Sequence, residues 1–348
     1  MKAAILTSPF NIQVKEIVEP KIGPKEVLVK PMATAICGTD IRIYNGSLKV
    51  KLPLIMGHEV AGCVIEVGKE CEKIKVGDRV HIYPIIYCGT CYMCKTGKVY
   101  LCSSGGLIGR DVNGAFAEYV SVPEYLIYKL PDNISYEEGA LAGLVWNVFH
   151  AHTRVKISIG DSVAVLGMSA AGLLHVALAR ISGAYPVIAI SRSQWKLELA
   201  KKFGADIVIN ARQTDVLNDV LEATGGRGAD IVIESAGTPQ TILQSMKLVK
   251  PGGIILQFGI CAESINNYNA YPIYFKEISI IGTRAMRPLE YEPAMKLLAS
   301  GRIDVKPLIT HKFPLEKIRE AFELIDKKPN EVLRALITYQ SESFNSDR

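Results

Sequence analysis

The sequence predicts an α/β protein in which a small β-barrel precedes a doubly wound parallel sheet. Two changes of texture and one glycine motif carry that prediction. Residues 1–150 hold short strand-like runs punctuated by glycine and proline, residues 151–285 alternate apolar strands with helical stretches, and the pattern shifts again over 286–340. At one strand-to-helix join stands Gly167-Met168-Ser169-Ala170-Ala171-Gly172. The chain has 348 residues, 49% hydrophobic and 22% charged, which suits two domains with buried cores. A net charge of +5 is too small to mark a nucleic-acid-binding face, and the abundant aliphatic residues exclude a disordered chain. Met1-Lys2 runs straight into Ala3–Leu6, too short for a secretory h-region. The most membrane-like stretch, Val163–Ala179, is 17 residues interrupted by Gly167, Ser169, Gly172 and His175. A cytoplasmic protein without membrane or nucleic-acid partners is therefore expected.

In the first half, Val27–Pro31, Val60–Val67, Arg79–Ile82 (after the Gly77-Asp78 turn) and Phe116–Val122 read as barrel strands. Between them lies Cys88-x2-Cys91-x2-Cys94-x7-Cys102, flanked by the loop residues Gly89, Thr90, Lys95, Thr96 and Gly97. Three thiols at intervals of three, with a fourth one loop later, can converge on one tetrahedral zinc ion. Four sulfurs leave no open position, so the lobe at about 86–104 is expected to hold a structural zinc; paired thiols or an iron–sulfur cluster are the competing readings. Of the other cysteines, Cys63, Cys71 and Cys261 read as apolar fillers. Cys37 differs, because it comes after the strand-like run Glu26–Ala33 and opens Cys37-Gly38-Thr39-Asp40.

The second half reads strand Ser162–Leu166, helix Ala170–Ser182, strand Val187–Ile190 and helix Trp195–Phe203. Strands at Asp206–Ile209, Ile231–Glu234, Ile254–Phe258 and Ile278–Ile281 follow, the signature of βαβ units. The motif at 167–172 is the dinucleotide fingerprint with serine at its middle glycine. Gly167 permits the tight turn, Ser169, Ala170 and Ala171 open the helix toward a pyrophosphate, and Gly172 lets helix and sheet approach. A glycine turn in some other α/β fold is the competing reading. The second strand ends in Ser191-Arg192, with Lys196 one turn on, where an NAD site carries a carboxylate. Serine and two cations suit the extra phosphate of NADP, so NADP is expected over NAD; a solvated basic helix start is the alternative. Helices at Tyr291–Ser300 and Leu315–Lys327 flank a strand near Ile309–Pro314, and Ser341–Arg348 reads as a disordered tail.

Together, Cys37-Gly38-Thr39-Asp40, Gly57-His58-Glu59 with Gly62 and Gly68, Gly77-Asp78-Arg79-Val80, the four-cysteine lobe and the dinucleotide pattern resemble the zinc-containing medium-chain dehydrogenase/reductase family. The likeness spans nearly the whole chain and is greatest to alcohol, polyol and threonine dehydrogenases. It implies a GroES-like catalytic domain interrupted by a Rossmann domain, with residues 286–340 returning to the first. It further implies a catalytic zinc bound by Cys37 and His58 with Glu59 beside it. Thr39 would meet the substrate oxygen and begin proton removal, and Asp40 would orient His58. Phe258-Gly259-Ile260 and Gly282-Thr283 would lie at the nicotinamide, Arg334 at the pyrophosphate, and the Ile278–Ile281 edge at a homodimer or homotetramer contact.

Two departures stand out. The family's usual third ligand position is Gly143 here, and its relay histidine is Arg42. Glycine cannot ligate through a side chain, and arginine does not shuttle protons at neutral pH. The expected function is a zinc-dependent oxidoreductase passing hydride between NADP(H) and a secondary alcohol or polyol, or its ketone or aldehyde. The departures keep open a zinc-independent reductase on the same fold and a nucleotide-binding protein without turnover. Tyr44, Leu48, Tyr87 and Trp146 are the candidates for a substrate pocket, while His81, His150, His152, His175 and His311 read as packing histidines.

Overall fold

A computed structural model describes residues 1–339, so the tail Ser341–Arg348 lies outside the described residues. The chain forms two compact units, Met1–Leu144 with the segment from Met295 onward, and Val145–Ala294.

The first unit is built on strand Glu26–Ala35, which pairs antiparallel with Glu59–Val67, Val120–Pro123 and Arg334–Thr338. Its burial pattern is almost continuous, as a strand covered on both faces requires. Register then places the chemistry. Ala35 pairs with Glu59 on one side and Leu336 on the other, so the chain leaves this strand for Cys37 beside His58-Glu59 and beside Arg334. Arg79–Ile82, Ile127–Lys129 and Ile309–Pro314 complete a seven-stranded sheet. Helix Gly38–Tyr44 carries Cys37 as its N-cap. It is held from behind, because Tyr44 packs on Phe322 at 4.9 Å and Phe322 on Phe116 at 5.9 Å. Phe322 belongs to helix Ile318–Lys327, so the returning chain braces the helix that begins at Cys37. Each such ring pair is worth ~1 kcal/mol beyond the area it buries.

The second unit is a six-stranded parallel sheet. Its order is Ile207–Asn210, Val187–Ser191, Val163–Leu166, Ala229–Glu234, Val249–Gln257, Ser279–Gly282. Chain order reverses between Val163–Leu166 and Ala229–Glu234, and a crevice opens at the carboxyl ends of strands at such a switch. Helices Ala170–Ile181, Gln194–Lys202, Val216–Ala223 and Pro239–Leu248 make the crossovers.

Most expected elements lie within a residue or two of their place, though Val27–Pro31 extends to Ala35. Three differ more. Lys2–Ser8 and Asn11–Glu16 form a hairpin that the signal-peptide reading passed over. Phe116–Val122 shortens to Val120–Pro123, leaving Phe116 fully buried in the core. The strand expected to begin at Ile254 begins at Val249 and runs through Pro251-Gly252-Gly253.

Candidate active site

The four-cysteine lobe brings its sulfurs together. Cys88 and Cys102 Sγ lie 3.5 Å apart, Cys91 and Cys94 3.5 Å, Cys91 and Cys102 3.8 Å, and Cys88 and Cys94 4.0 Å. Four thiolates at ~2.3 Å around a tetrahedral zinc would be about 3.8 Å from one another, whereas a disulfide needs ~2.05 Å. All four are free thiols. The Thr90 hydroxyl and then the backbone N–H groups of Thr90 and Cys91 stabilise Cys88 as thiolate and bring its pKa down to about 5. Backbone N–H groups, that of Cys94 foremost, bring Cys91 to about 7. Burial pushes Cys94 up to about 12. Cys88 and Cys91 are thus favoured as thiolates, and the four-sulfur donor set fits zinc.

The second cluster is Cys37, His58 and Glu59, whose donor atoms lie within 4.8 Å of one another. His58 and Glu59 are buried and Cys37 is half-buried. Burial disfavours an imidazolium at His58, but the charges of Asp40 and then Cys37 outweigh it and hold its pKa well above the ordinary value. Glu59 Oε1 is 3.5 Å from the Arg334 guanidinium, while Glu59 Oε2 is buried without a hydrogen-bond partner. The Cys37 sulfur, a His58 ring nitrogen and the buried Glu59 oxygen without a partner are a donor set that fits a divalent zinc ion. One sulfur, one nitrogen and one oxygen ligand leave a fourth position open, the arrangement of a catalytic zinc site.

Asp40 acts mainly on backbone. Its carboxylate is fully buried and accepts from the N–H of Cys37 at 2.9 Å and of Gly57 at 3.3 Å. It thereby ties together the two segments that present the ligands. His58 Nδ1 is 3.4 Å away without hydrogen-bond geometry. Thr39 sits half-buried in the first turn of the helix capped by Cys37.

In the second unit the fingerprint is a built cradle. Gly167 has φ +95°, and a Cβ there would lie 2.8 Å from Ala236. A Cβ on Gly172 would lie 1.8 Å from the Gly167 carbonyl oxygen. Ser169 is the N-cap of helix Ala170–Ile181, and its Oγ accepts from the Gly172 N–H at 3.3 Å. Serine in place of the middle glycine therefore caps the helix that faces the phosphates. Strand Val187–Ser191 ends without a carboxylate; Ser191 Oγ accepts from the Ser193 N–H, and Arg192 is exposed. Lys196 is only 9% exposed and makes no ion pair among the described residues. Its Nζ lies 5.3 Å over the Trp195 ring, and burial lowers its pKa. A desolvated cation without a carboxylate is prepared for an anion.

Comparison with known proteins agrees along the whole chain. Residues 23–132 match the alcohol dehydrogenase GroES-like domain and residues 170–300 the zinc-binding dehydrogenase domain. L-threonine 3-dehydrogenase of Pyrococcus furiosus is 39% identical over 332 residues, covering 93% of this chain and 95% of its own. The chain belongs to the zinc-containing medium-chain dehydrogenase/reductase family. Sorbitol dehydrogenase of Bacillus subtilis is 35% identical, covering 97% of each chain. The solved alcohol dehydrogenase TADH from Thermus sp. ATN1 superposes with a TM-score of 0.91 at 32% identity, over 98% of this chain and all of its own. Membership makes this protein an oxidoreductase and implies zinc, a nicotinamide cofactor and a small-molecule alcohol substrate.

The remaining residues of this dehydrogenase fall as follows. Phe258, Gly259 and Ile260 follow the end of strand Val249–Gln257, with Phe258 edge-on to His175 at 4.5 Å. Gly282 and Thr283 end the next strand, and the Thr283 N–H donates to the Gln257 carbonyl. Arg334 lies in the first unit, donating to the Ile36 carbonyl at 3.2 Å and facing Glu59. Sequence reasoning missed this pairing, because nothing local marks residues so far apart as neighbours. His150 is held by Glu290 at 2.8 Å. Tyr44 and Trp146 are core residues at 2% and 0% exposure. Cys63 is buried, whereas Cys71 and Cys261 are partly exposed and are not core fillers. Among the described residues no helix is long and apolar enough to cross a membrane.

Proposed function

We propose that this chain is a zinc-dependent oxidoreductase transferring hydride between NADP(H) and a secondary alcohol or polyol, or its ketone or aldehyde. The observation that carries the reading is the Cys37–His58–Glu59 cluster with its open fourth position. Zinc bound there supplies Lewis acidity that lowers the pKa of a ligated hydroxyl, and the nicotinamide supplies the hydride acceptor. Thr39, two residues from Cys37, accepts the substrate hydroxyl's proton in hydrogen bonding. Asp40 keeps Cys37 and His58 in register through the backbone N–H groups of Cys37 and Gly57. With glycine at 143, Glu59 is the third ligand, and Arg334 restrains its second oxygen. Ser191, Arg192 and Lys196 hold the adenosine 2′-phosphate. The lobe of Cys88, Cys91, Cys94 and Cys102 holds a structural zinc, which needs the reduced thiols of a cytoplasmic setting. Copies associate through the edge strand Ser279–Gly282.

The Glu59–Arg334 pair and Gly143 favour one competing reading, a reductase that carries the structural zinc alone. Metal content decides between them. The purified chain is expected to hold two zinc ions and to reduce NADP+ with a simple secondary alcohol. Glu59→Ala should retain one ion and lose activity. One ion in the unaltered, fully active chain would sink the zinc-dependent reading.

A further inference from the structure

Glu234 is a buried carboxylate that the chemistry above does not use. It ends strand Ala229–Glu234 and has no exposed surface. Its Oε1 accepts from the N–H groups of Ala236 and Gly237, both at 2.9 Å, and from the Thr241 hydroxyl at 2.8 Å. Its Oε2 accepts from Gln257 Nε2 at 2.6 Å. Every partner is a donor, as an ionised carboxylate requires. No lysine, arginine or histidine forms an ion pair with it among the described residues. The Glu234 carbonyl also accepts from Phe258 and Gly259 N–H groups, at 2.9 and 2.8 Å. A Cβ on Gly259 would lie 2.3 Å from Gly237 N and 2.6 Å from Glu234 Oε2. Two loops are therefore drawn around an unneutralised charge so closely that a side chain at Gly259 would not fit.

The place of this charge follows from the sheet. Glu234 is in register with Leu166, directly before the fingerprint, and a Cβ on Gly167 would meet Ala236. On the other side, strand Val187–Ser191 ends in the residues suited to the adenosine phosphate. A dinucleotide crossing the strand ends with its adenosine at Ser191 and its pyrophosphate at the fingerprint reaches Glu234 and Gln257 with its nicotinamide.

We propose that Glu234 sets the redox preference of the bound cofactor, by favouring the cationic oxidised ring over the neutral reduced one. The inference rests on the nicotinamide-binding reading above. Oxidised and reduced cofactor differ at the ring by one unit of charge, and a buried carboxylate without a countercation acts on that difference. The same residue fixes the loops, but loop order alone acts on both forms alike. Only the field of the charge distinguishes them.

The test is equilibrium binding of NADP+ and NADPH, with NAD+ and NADH in parallel, to the unaltered protein and three variants. Glu234→Gln is expected to weaken NADP+ relative to NADPH by roughly ten- to twentyfold, the scale of one charge acting across ~10 Å at an effective dielectric near ~20. Gln257→Lys should shift the ratio in the same direction, because its ammonium neutralises the carboxylate without removing it. Gln257→Met removes one donor and keeps the charge, so it should weaken both forms and leave the ratio. Thermal melting checks folding, and Gln257→Lys carries the test should Glu234→Gln unfold. Equal weakening of both forms in every folded variant that neutralises the charge overturns the proposal. Failure of the unaltered protein to bind any of the four nucleotides overturns the nucleotide reading instead.

Discussion

At the residue scale, Ser191 and Arg334 carry the tests of cofactor choice and of the metal site. Ser191 stands where a carboxylate would accept from ribose hydroxyls, and the nearly buried Lys196 makes no ion pair among the described residues. Ser191→Asp should place a charge against the 2′-phosphate and lower NADP+ affinity at least tenfold relative to NAD+, about 1.4 kcal/mol. An unchanged affinity ratio would count against NADP as the partner. Arg334 offers a second test. It is the cation beside the buried Glu59, with both side chains about 10% exposed. Removing one member of a buried ion pair strands the other and typically costs ~3–5 kcal/mol. Arg334→Met should therefore lower the melting temperature, and lower it most in chelator-treated protein, where nothing else neutralises Glu59. Equal losses with and without chelator would show that no ion engages that carboxylate.

At the scale of elements, among the described residues the strand Ser279–Gly282 pairs on one side only, with Val249–Gln257. Its Ile280 is 43% exposed, and the helix Tyr271–Phe275 leading into it exposes Tyr274 and Phe275. An apolar strand edge of this kind invites pairing with another chain. Ile280→Lys is expected to move the protein from dimer or tetramer toward monomer in sedimentation velocity, with the unit's fold retained. An unaltered sedimentation coefficient would place the contact elsewhere. This strand was legible in the sequence, as were the six-strand alternation and the fingerprint, because apolar runs of four or five residues bounded by glycine report local structure. The hairpin Lys2–Ser8/Asn11–Glu16 was not, since its alternation is interrupted by Ala3-Ala4 and its turn is Pro9-Phe10, with Phe10 at a positive φ of 62°. Of the metal clusters, residue spacing delivers the four-cysteine lobe and adjacency delivers His58-Glu59. Their partners Cys37 and Arg334 meet them only through strand register, which no local pattern encodes. Glu234 reads in sequence as the end of an apolar strand, and its role depends on donors from two later loops.

For the whole molecule, the histidines set an acid limit. Burial lowers His81 in the first unit and His152 in the second to about 4. Burial and then the neighbouring His152 hold His175 well below its ordinary value. His152 Nε2 and His175 Nδ1 are 3.1 Å apart with stacked rings, so neither can take a proton without facing its neighbour. An unfolded chain protonates these imidazoles near pH ~6.5, while the folded one stays neutral to about pH 4 for His81 and His152. The unfolded state thus binds more protons across that window, and stability present at neutral pH falls as the pH is lowered through it. For a depression of this size the loss is on the order of 3 kcal/mol per histidine. His58 runs the other way, because Asp40 and Cys37 raise it against its burial. A comparison between the unaltered protein and His175→Phe cancels that opposing contribution. Phenylalanine keeps an aromatic ring against Phe258 and carries no proton. Urea midpoints taken from pH 7 to pH 4.5 should fall less steeply for His175→Phe. Parallel slopes would place the acid sensitivity outside this histidine pair.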